Sequence, residues 1–155
     1  MQRFPLLPEP AMNDPTPFVP LKGGCQCGRV TYSVSTPPVM AGLCYCTLCR
    51  KTSGAGHAFH AMVPEASLQM SGAPTWYSTT ADSGNTVSSG FCGTCGSPLF
   101  GRSSGMPGMM TFRVANLDQP AAQTPQMAVF ASRKLPWDHL DPQLPAFDTM
   151  PPMPG

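Results

Sequence analysis

The chain has 155 residues, a length typical of one domain, and it contains 15 glycines and 20 prolines. Charged residues make up only 11% of the chain, and the formal net charge is +1. This composition argues against a coiled coil, a long-helix bundle and a charged disordered chain. It also argues against a protein that tracks nucleic-acid phosphates, because such a protein needs a concentrated basic face.

The prolines are concentrated at the two ends of the chain. Six lie in residues 1–20 and six in residues 136–155. The sequence therefore predicts an extended arm over 1–20, a β domain over 21–135 and a Pro-rich segment over 136–155, which we name the C-terminal strap. Proline excludes a helix there, so we expect the strap to lie across the domain and to bury Trp137, Leu140, Leu144 and Phe147.

Between the two ends the apolar residues alternate with period two, which is typical of strands. The pattern predicts strands over residues 30–34, 59–63, 68–70, 75–78, 86–91, 109–115 and 127–131. Glycine, proline and serine separate them at short intervals, which favours small antiparallel sheets. A single short helical turn is predicted over residues 47–51. We therefore expect one mostly-β domain.

The chain offers no apolar run of 18 residues, so we expect no membrane span. The first eight residues contain one arginine and no uninterrupted apolar stretch, unlike a secretory signal. We therefore expect a protein of the reducing cytoplasm, where clustered cysteines more often bind metal than form disulfides.

Seven cysteines fall into two pairs and one triplet. The outer cysteine group combines the two pairs, Cys25 with Cys27 and Cys92 with Cys95. The middle cysteine group contains Cys44, Cys46 and Cys49. A spacer of two residues lets two thiolates reach one zinc ion. Glycines after the pairs, Gly28 and Gly96, permit a left-handed turn that points backbone N–H groups at the sulfur atoms.

The seven thiols divide most simply into four and three. Four thiolates close a structural zinc site, whereas three leave the open position that catalytic zinc uses. We therefore expect two zinc ions per chain. Three alternatives remain: disulfides, against which the odd count argues; a different division of the thiols; and His57 or His60 as a fourth ligand of the middle group, which would make both zincs structural. A zinc ion with three thiolate ligands forms a complex with a net charge of about −1. Such a soft site with an open position suits an incoming thiolate as its fourth ligand.

Five segments together resemble the glutathione-dependent formaldehyde-activating enzyme family, over residues 21–152. They are residues 24–28 around the first cysteine pair, 44–51 ending in Arg50 and Lys51, 91–99 around the last pair, 135–137 and 144–147. The resemblance implies a β-tent fold, a structural zinc at the outer group and a second, catalytic zinc at the middle group. It also implies the joining of formaldehyde to glutathione, a carbon–sulfur lyase reaction run in reverse. The family commonly has histidine where this chain has Tyr45.

A glutathione substrate has two carboxylates, which cationic side chains would hold. Arg50 and Lys51, directly after Cys49, are the best candidates, and Arg29, Arg102 and Arg113 are weaker ones. Groups that could exchange a proton or donate a hydrogen bond near the open position are His57, His60, Glu65, Tyr45 and Tyr32. From these we select Arg50, Lys51, Tyr45, His57 and His60 as substrate-binding residues.

The sequence therefore favours a zinc-dependent, carbon–sulfur lyase-like enzyme whose partner is a small thiol such as glutathione or a thiol–aldehyde adduct. We expect neither a nucleic acid nor a membrane as a partner. One alternative is a zinc enzyme with hydrolytic or addition chemistry on another small molecule. The other is a zinc-stapled binding module without catalysis.

Overall fold

A computed structural model describes residues 17–152. Within them lie ten strands: β1 Leu21–Gly24, β2 Thr31–Val34, β3 Met40–Cys44, β4 Ala58–Pro64, β5 Leu68–Ser71, β6 Thr75–Thr80, β7 Thr86–Phe91, β8 Pro98–Ser103, β9 Met109–Arg113 and β10 Met127–Val129. The α-helix in this range, α1, spans Thr47–Ser53, and short 3₁₀ turns cover Glu65–Ser67, Val114–Asn116, Pro120–Ala122 and Ala131–Arg133. No helix in the described range is long and apolar enough to cross a membrane.

The strands form two sheets. One has three strands in the order β1-β2-β5, and the other has seven in the order β10-β3-β4-β9-β8-β7-β6. The mostly-β prediction is confirmed. The strand pairs are antiparallel, as expected, except for the parallel pair of β10 with β3, in which Ala128 lies opposite Leu43.

Each of the seven predicted strands overlaps a strand of the structure, and the predicted helical turn is the first part of α1. Three strands were not predicted: β1, β3 and β8. Each of them contains at least one glycine, and glycine weakens the sequence signal of a strand because it has no side chain to pack.

The two sheets share one core. Tyr32 of the small sheet meets two aromatic rings of the large one, Phe100 at 5.1 Å and Phe112 at 5.8 Å between ring centroids. Val34 and Leu99, one from each sheet, are also fully buried in this cluster. Burial of these apolar side chains is what holds the sheets together away from the cysteines.

The C-terminal strap is attached through its backbone. Ala128 in β10 accepts a hydrogen bond from Phe147 N at 2.9 Å and donates one to Pro145 O at 2.8 Å. Trp137 is 71% exposed and Phe147 38% exposed, while Leu140 and Leu144 are half-buried. The prediction that the strap buries Trp137 and Phe147 is therefore wrong, because backbone hydrogen bonds rather than those side chains tie the strap to the sheet.

The predicted arm over 1–20 falls largely outside the described residues, as do residues 153–155 of the strap. The four described residues of the arm, 17–20, belong to no helix or strand. The arm and the exact domain limits therefore stay predictions.

We expect Phe112→Ala to reduce the free energy of unfolding by about 3–5 kcal/mol, because the side chain is fully buried between the sheets. Urea denaturation followed by circular dichroism measures it. Tyr77→Ala is the matched control, since Tyr77 is 62% exposed and its loss should change stability by about 0.5 kcal/mol at most. Equal losses in the two variants would contradict this description of the core.

Candidate metal centres and their surroundings

The outer cysteine group is built from two hairpin turns in different sheets. Cys25 and Cys27 lie in the turn from β1 to β2, and Cys92 and Cys95 lie in the turn from β7 to β8. Their four Sγ atoms all lie within 4.8 Å of one another. The group therefore joins segments that are distant along the chain.

Sulfur spacing in the outer group fits a tetrahedral metal ion. The Sγ of Cys27 lies 3.6 Å from that of Cys25 and 3.7 Å from that of Cys92. Four sulfurs at about 2.3 Å from zinc would be about 3.8 Å apart, whereas a disulfide bond measures about 2.05 Å. All seven cysteines are free thiols in the structure, so the outer group could hold a metal ion.

Both turns of the outer group have the backbone conformation that the glycines predict. Gly28 and Gly96 each have φ of 77°, in the left-handed region that favours glycine. Val30 N donates to Cys25 Sγ at 3.3 Å, and this hydrogen bond lowers the pKa of Cys25. The Ser97 hydroxyl lies 3.3 Å from Cys95 Sγ, and this contact lowers the pKa of Cys95 to about 5. Hydrogen bonds thus favour the thiolates of Cys25 and Cys95, while the pKa of Cys27 is raised to about 11.

The middle cysteine group comes from one short segment. Cys44 ends β3, Cys46 caps the N-terminus of α1, and Cys49 lies in the first turn of that helix. The three Sγ atoms lie within 4.8 Å of one another. Cys49 N donates to Cys46 Sγ at 3.3 Å. Hydrogen bonding from the neighbouring thiols lowers the pKa of Cys46 to about 2 and raises that of Cys44 to about 12. Hydrogen bonding with the neighbouring thiols and burial also raise the pKa of Cys49, so the three thiols favour a single thiolate, on Cys46. The group could hold a second metal ion.

Neither predicted histidine completes the middle group. The atoms that lie within 4.8 Å of one another are three sulfurs, with no histidine nitrogen among them. His60 of β4 comes closest to one of them, with Nε2 3.2 Å from Cys49 Sγ. Within residues 17–152, the middle group thus consists of three converging thiols.

His60 belongs to a buried polar network behind the middle group. Its Nε2 also lies 3.2 Å from NH1 of Arg113, whose NH2 donates to Thr52 Oγ1 at 2.7 Å. Because arginine can only donate, this contact requires an unprotonated Nε2. The proton then sits on Nδ1, which is enclosed and has no hydrogen-bond partner in the part of the chain that the structure describes. Burial, followed by the charge of Arg113, lowers the pKa of His60 to about 3, so His60 is neutral.

The two cations predicted to bind substrate carboxylates lie in α1. Arg50 is half-buried and Lys51 is exposed, and neither forms an ion pair within residues 17–152. Both lie in the last turn of α1, where positive charge also stabilises the helix dipole. Both follow Cys49 directly in the chain and stay candidates for binding an anionic ligand.

Tyr45 and His57 connect the middle group to the C-terminal strap. Tyr45 is fully buried, and its hydroxyl donates to the backbone carbonyl of His139 at 3.2 Å. The ring of His57 lies 5.0 Å from that of Tyr45, and His57 Nδ1 pairs with Asp138 Oδ2 at 2.8 Å. A substrate contact by Tyr45 would require the ring to leave this position, whereas His57 keeps part of its ring exposed.

The weaker candidates from the sequence are dispersed. Arg102 pairs with Glu65 on the surface, and Arg29 is exposed beside the outer group. Tyr32 belongs to the core, and its hydroxyl donates to the carbonyl of Arg113 at 3.4 Å. Sequence reasoning missed Asp138 of the strap, for which no local motif gives a signal.

We expect Asp138→Asn to loosen the strap, because it removes the charge that pairs with His57 in a largely buried position. Trypsin cleavage after Lys134 should become about tenfold faster, the effect expected for a hydrogen bond to a charged group. Asp118→Asn is the control, since Asp118 is exposed and forms no ion pair in the described range. Cleavage at the wild-type rate in Asp138→Asn would show that the pair does not hold the strap.

Comparisons with known proteins agree with this site. A Halomonas elongata protein, provisionally named as a glutathione-dependent formaldehyde-activating enzyme, is 35% identical over 85 residues, which are 52% of this chain and 54% of that protein. The chain therefore matches only about half the length of this relative. A crystal structure of a Rhodobacter sphaeroides protein superposes with a TM-score of 0.52 and 25% identity, covering 67% of this chain and 97% of the other.

The family comparison covers most of the domain. Residues 20–133 match the sequence profile described as "Glutathione-dependent formaldehyde-activating enzyme". This range includes both cysteine groups, α1 and all ten strands. The chain belongs to the glutathione-dependent formaldehyde-activating enzyme family.

Proposed function

We propose that this protein is a zinc-dependent carbon–sulfur lyase that joins formaldehyde to a small thiol, with glutathione as the favoured thiol. The observation that carries the proposal is the middle group, in which three thiols converge and no histidine, fourth cysteine or carboxylate of residues 17–152 joins them within 4.8 Å. Family membership supports a glutathione-related activity. The zinc ions, the thiol and the reaction direction are the parts that experiment must test.

The choice of zinc rests on the donor sets. Both groups consist of sulfur alone, and soft thiolate ligands select zinc, copper(I) or iron–sulfur clusters rather than magnesium or calcium. We propose that the outer group holds a structural ion, since it fastens two sheets, and that the middle group holds the functional one. When bound there, zinc supplies a Lewis acid with an open position that can hold a thiol as its thiolate. Seven free thiols also support the reducing cytoplasm as the compartment.

The reaction is an addition whose atoms balance without a co-reactant. A carbon–sulfur bond forms between the thiol sulfur and the carbonyl carbon, the carbonyl π bond breaks, and the thiol proton ends on the carbonyl oxygen. We propose His57 as the residue that moves this proton. Asp138 holds its Nδ1, and the His57 side chain is 31% exposed, so Nε2 is the nitrogen proposed for proton exchange.

The chain's cations would position the thiol substrate. Glutathione carries two carboxylates, and Arg50 and Lys51 are cations on the helix that bears Cys49, with no ion pair to a carboxylate of residues 17–152. An arginine can grip a carboxylate with two parallel hydrogen bonds. Such binding would fix the thiol sulfur beside the middle group and make its attack on formaldehyde effectively intramolecular.

Metal content and thiol binding together test the proposal. We expect two zinc ions per wild-type chain and heat on calorimetric titration with glutathione. Cys46→Ser should keep the fold and one zinc ion but lose glutathione binding, because its site lies within one local segment. Cys92→Ser should instead unfold the chain, since a structural zinc site can contribute on the order of 10 kcal/mol to folding.

Two results would overturn the proposal. If wild-type protein with two zinc ions gives no heat on titration with millimolar glutathione, glutathione is excluded as the substrate thiol. Cys46→Ser protein that unfolds as cooperatively as Cys92→Ser would instead favour a zinc-stapled module without catalysis.

Removal of the helix cation tests carboxylate binding. We expect Arg50→Gln to raise KM for glutathione by about tenfold, the effect of losing hydrogen bonds to a charged group. The KM for 2-mercaptoethanol, which has no carboxylate, should not change. Arg29→Gln is the matched control, an exposed arginine that follows the other cysteine group. An equal change for both thiols would assign Arg50 a purely structural role.

A further inference from the structure

A buried cation without a carboxylate partner lies behind the middle cysteine group. Arg113 is only 7% exposed. The ion pairs of residues 17–152 join other residues, so no carboxylate of the described range lies within 4.0 Å of this guanidinium. Its side-chain partners are two neutral groups, the imidazole of His60 and the hydroxyl of Thr52.

Strand pairing and helix placement fix this arrangement. Arg113 in β9 lies directly opposite His60 in β4, so their side chains project from the same face of the sheet. Thr52 belongs to α1, the helix that contains Cys49. His60 Nε2 is at 3.2 Å from both Arg113 NH1 and Cys49 Sγ. The Nε2 atom of His60 thus lies between the guanidinium of Arg113 and a sulfur of the middle group, in contact with both.

A buried charge is costly unless an opposite charge lies near it. Among the described residues, the groups near Arg113 that can become anionic are the thiols of Cys49, Cys44 and Cys46. A divalent ion with three thiolates has a net charge of −1, and a fourth thiolate would make it −2. With the positive charge of Arg113 included, the net charge is zero for the three-thiolate complex and −1 for the four-thiolate complex. Arg113 therefore stabilises both complexes relative to a site that lacks this charge.

We propose that Arg113 is a positioning residue that supplies the counter-charge of the middle cysteine group and thereby admits an anionic thiolate as the further ligand. This inference rests on the proposed function. It also replaces the expectation that Arg113 binds a substrate carboxylate, because a side chain this deeply enclosed does not reach a ligand from solvent. Charge, rather than a specific hydrogen bond, is the property that Arg113 contributes.

Cobalt(II) gives a test that does not depend on turnover, because thiolate ligation of this ion is visible in its absorption spectrum. The variants are Arg113→Gln, which removes the charge, and Arg113→Lys, which keeps it. Arg133→Gln is the control, since Arg133 forms an exposed ion pair with Asp82. Circular dichroism and retention of the outer ion verify that each variant is folded.

The first measurement is the cobalt affinity of the middle group against a competing chelator. Arg113→Gln should lower it by about 10- to 100-fold, as loss of groups behind metal ligands commonly does. Arg113→Lys and Arg133→Gln should stay close to wild type. The second measurement is spectral titration of the cobalt protein with 2-mercaptoethanol and with imidazole. Arg113→Gln should weaken binding of the anionic thiolate and leave that of neutral imidazole unchanged.

The outcomes separate the two proposals. Wild-type cobalt affinity in Arg113→Gln, or an equal loss in Arg113→Lys, would overturn the counter-charge role. Equal weakening of thiolate and imidazole would do the same and indicate general damage to the site. If the wild-type cobalt protein binds no thiol, the proposed function fails, and the cobalt affinities of the two Arg113 variants still decide the role of Arg113.

Discussion

Convergence of four thiols from two hairpin turns is the constraint on which the rest of the structure depends. Cys27 and Cys92 belong to different sheets, and their sulfurs lie 3.7 Å apart. Apolar packing between the sheets brings these turns together, and a bound ion would then hold both sheets in one orientation. The three thiols of the middle group, in contrast, come from a single segment. Under the proposed function, the outer cysteine group would stabilise the fold and the middle cysteine group would exchange ligands.

Electrostatics distinguishes the two groups as clearly as topology does. In the outer group, neutral hydrogen-bond donors stabilise thiolates. Val30 N donates to Cys25 Sγ, and the Ser97 hydroxyl lies beside Cys95 Sγ. The middle group has, in addition, a guanidinium enclosed behind it. In a chain with only 11% charged residues, placing Arg113 in the interior is a large electrostatic cost. We infer that negative charge on the middle cysteine group offsets this cost, and that Arg113 in turn helps the group to accept a further anionic ligand.

Most of the fold could be predicted from alternation of apolar residues, and the strands that were missed share a physical cause. In β1, a Cβ on Gly23 would lie 2.5 Å from the carbonyl oxygen of Asn116, and in β8, one on Gly101 would lie 2.5 Å from Thr111 Oγ1. Glycine is required there because neighbouring atoms approach closely. That requirement arises only in the folded chain, so neither strand propensity nor the alternation of apolar residues could show it. The parallel pairing of β10 is likewise a property of the assembled sheet.

Cysteine spacing was sufficient to propose the division into four and three thiols, because each pair and the triplet is a local motif of the sequence. The surroundings of the middle group were not accessible in the same way. Tyr45 lies between two cysteines whose sulfurs converge, and its ring packs instead toward the strap, where His139 accepts its hydrogen bond. His57, stacked on that ring, reaches Asp138 of the same segment. The strap therefore contacts Tyr45, the residue between two cysteines of the middle group, although it is far from that group in sequence and carries no metal-ligand motif.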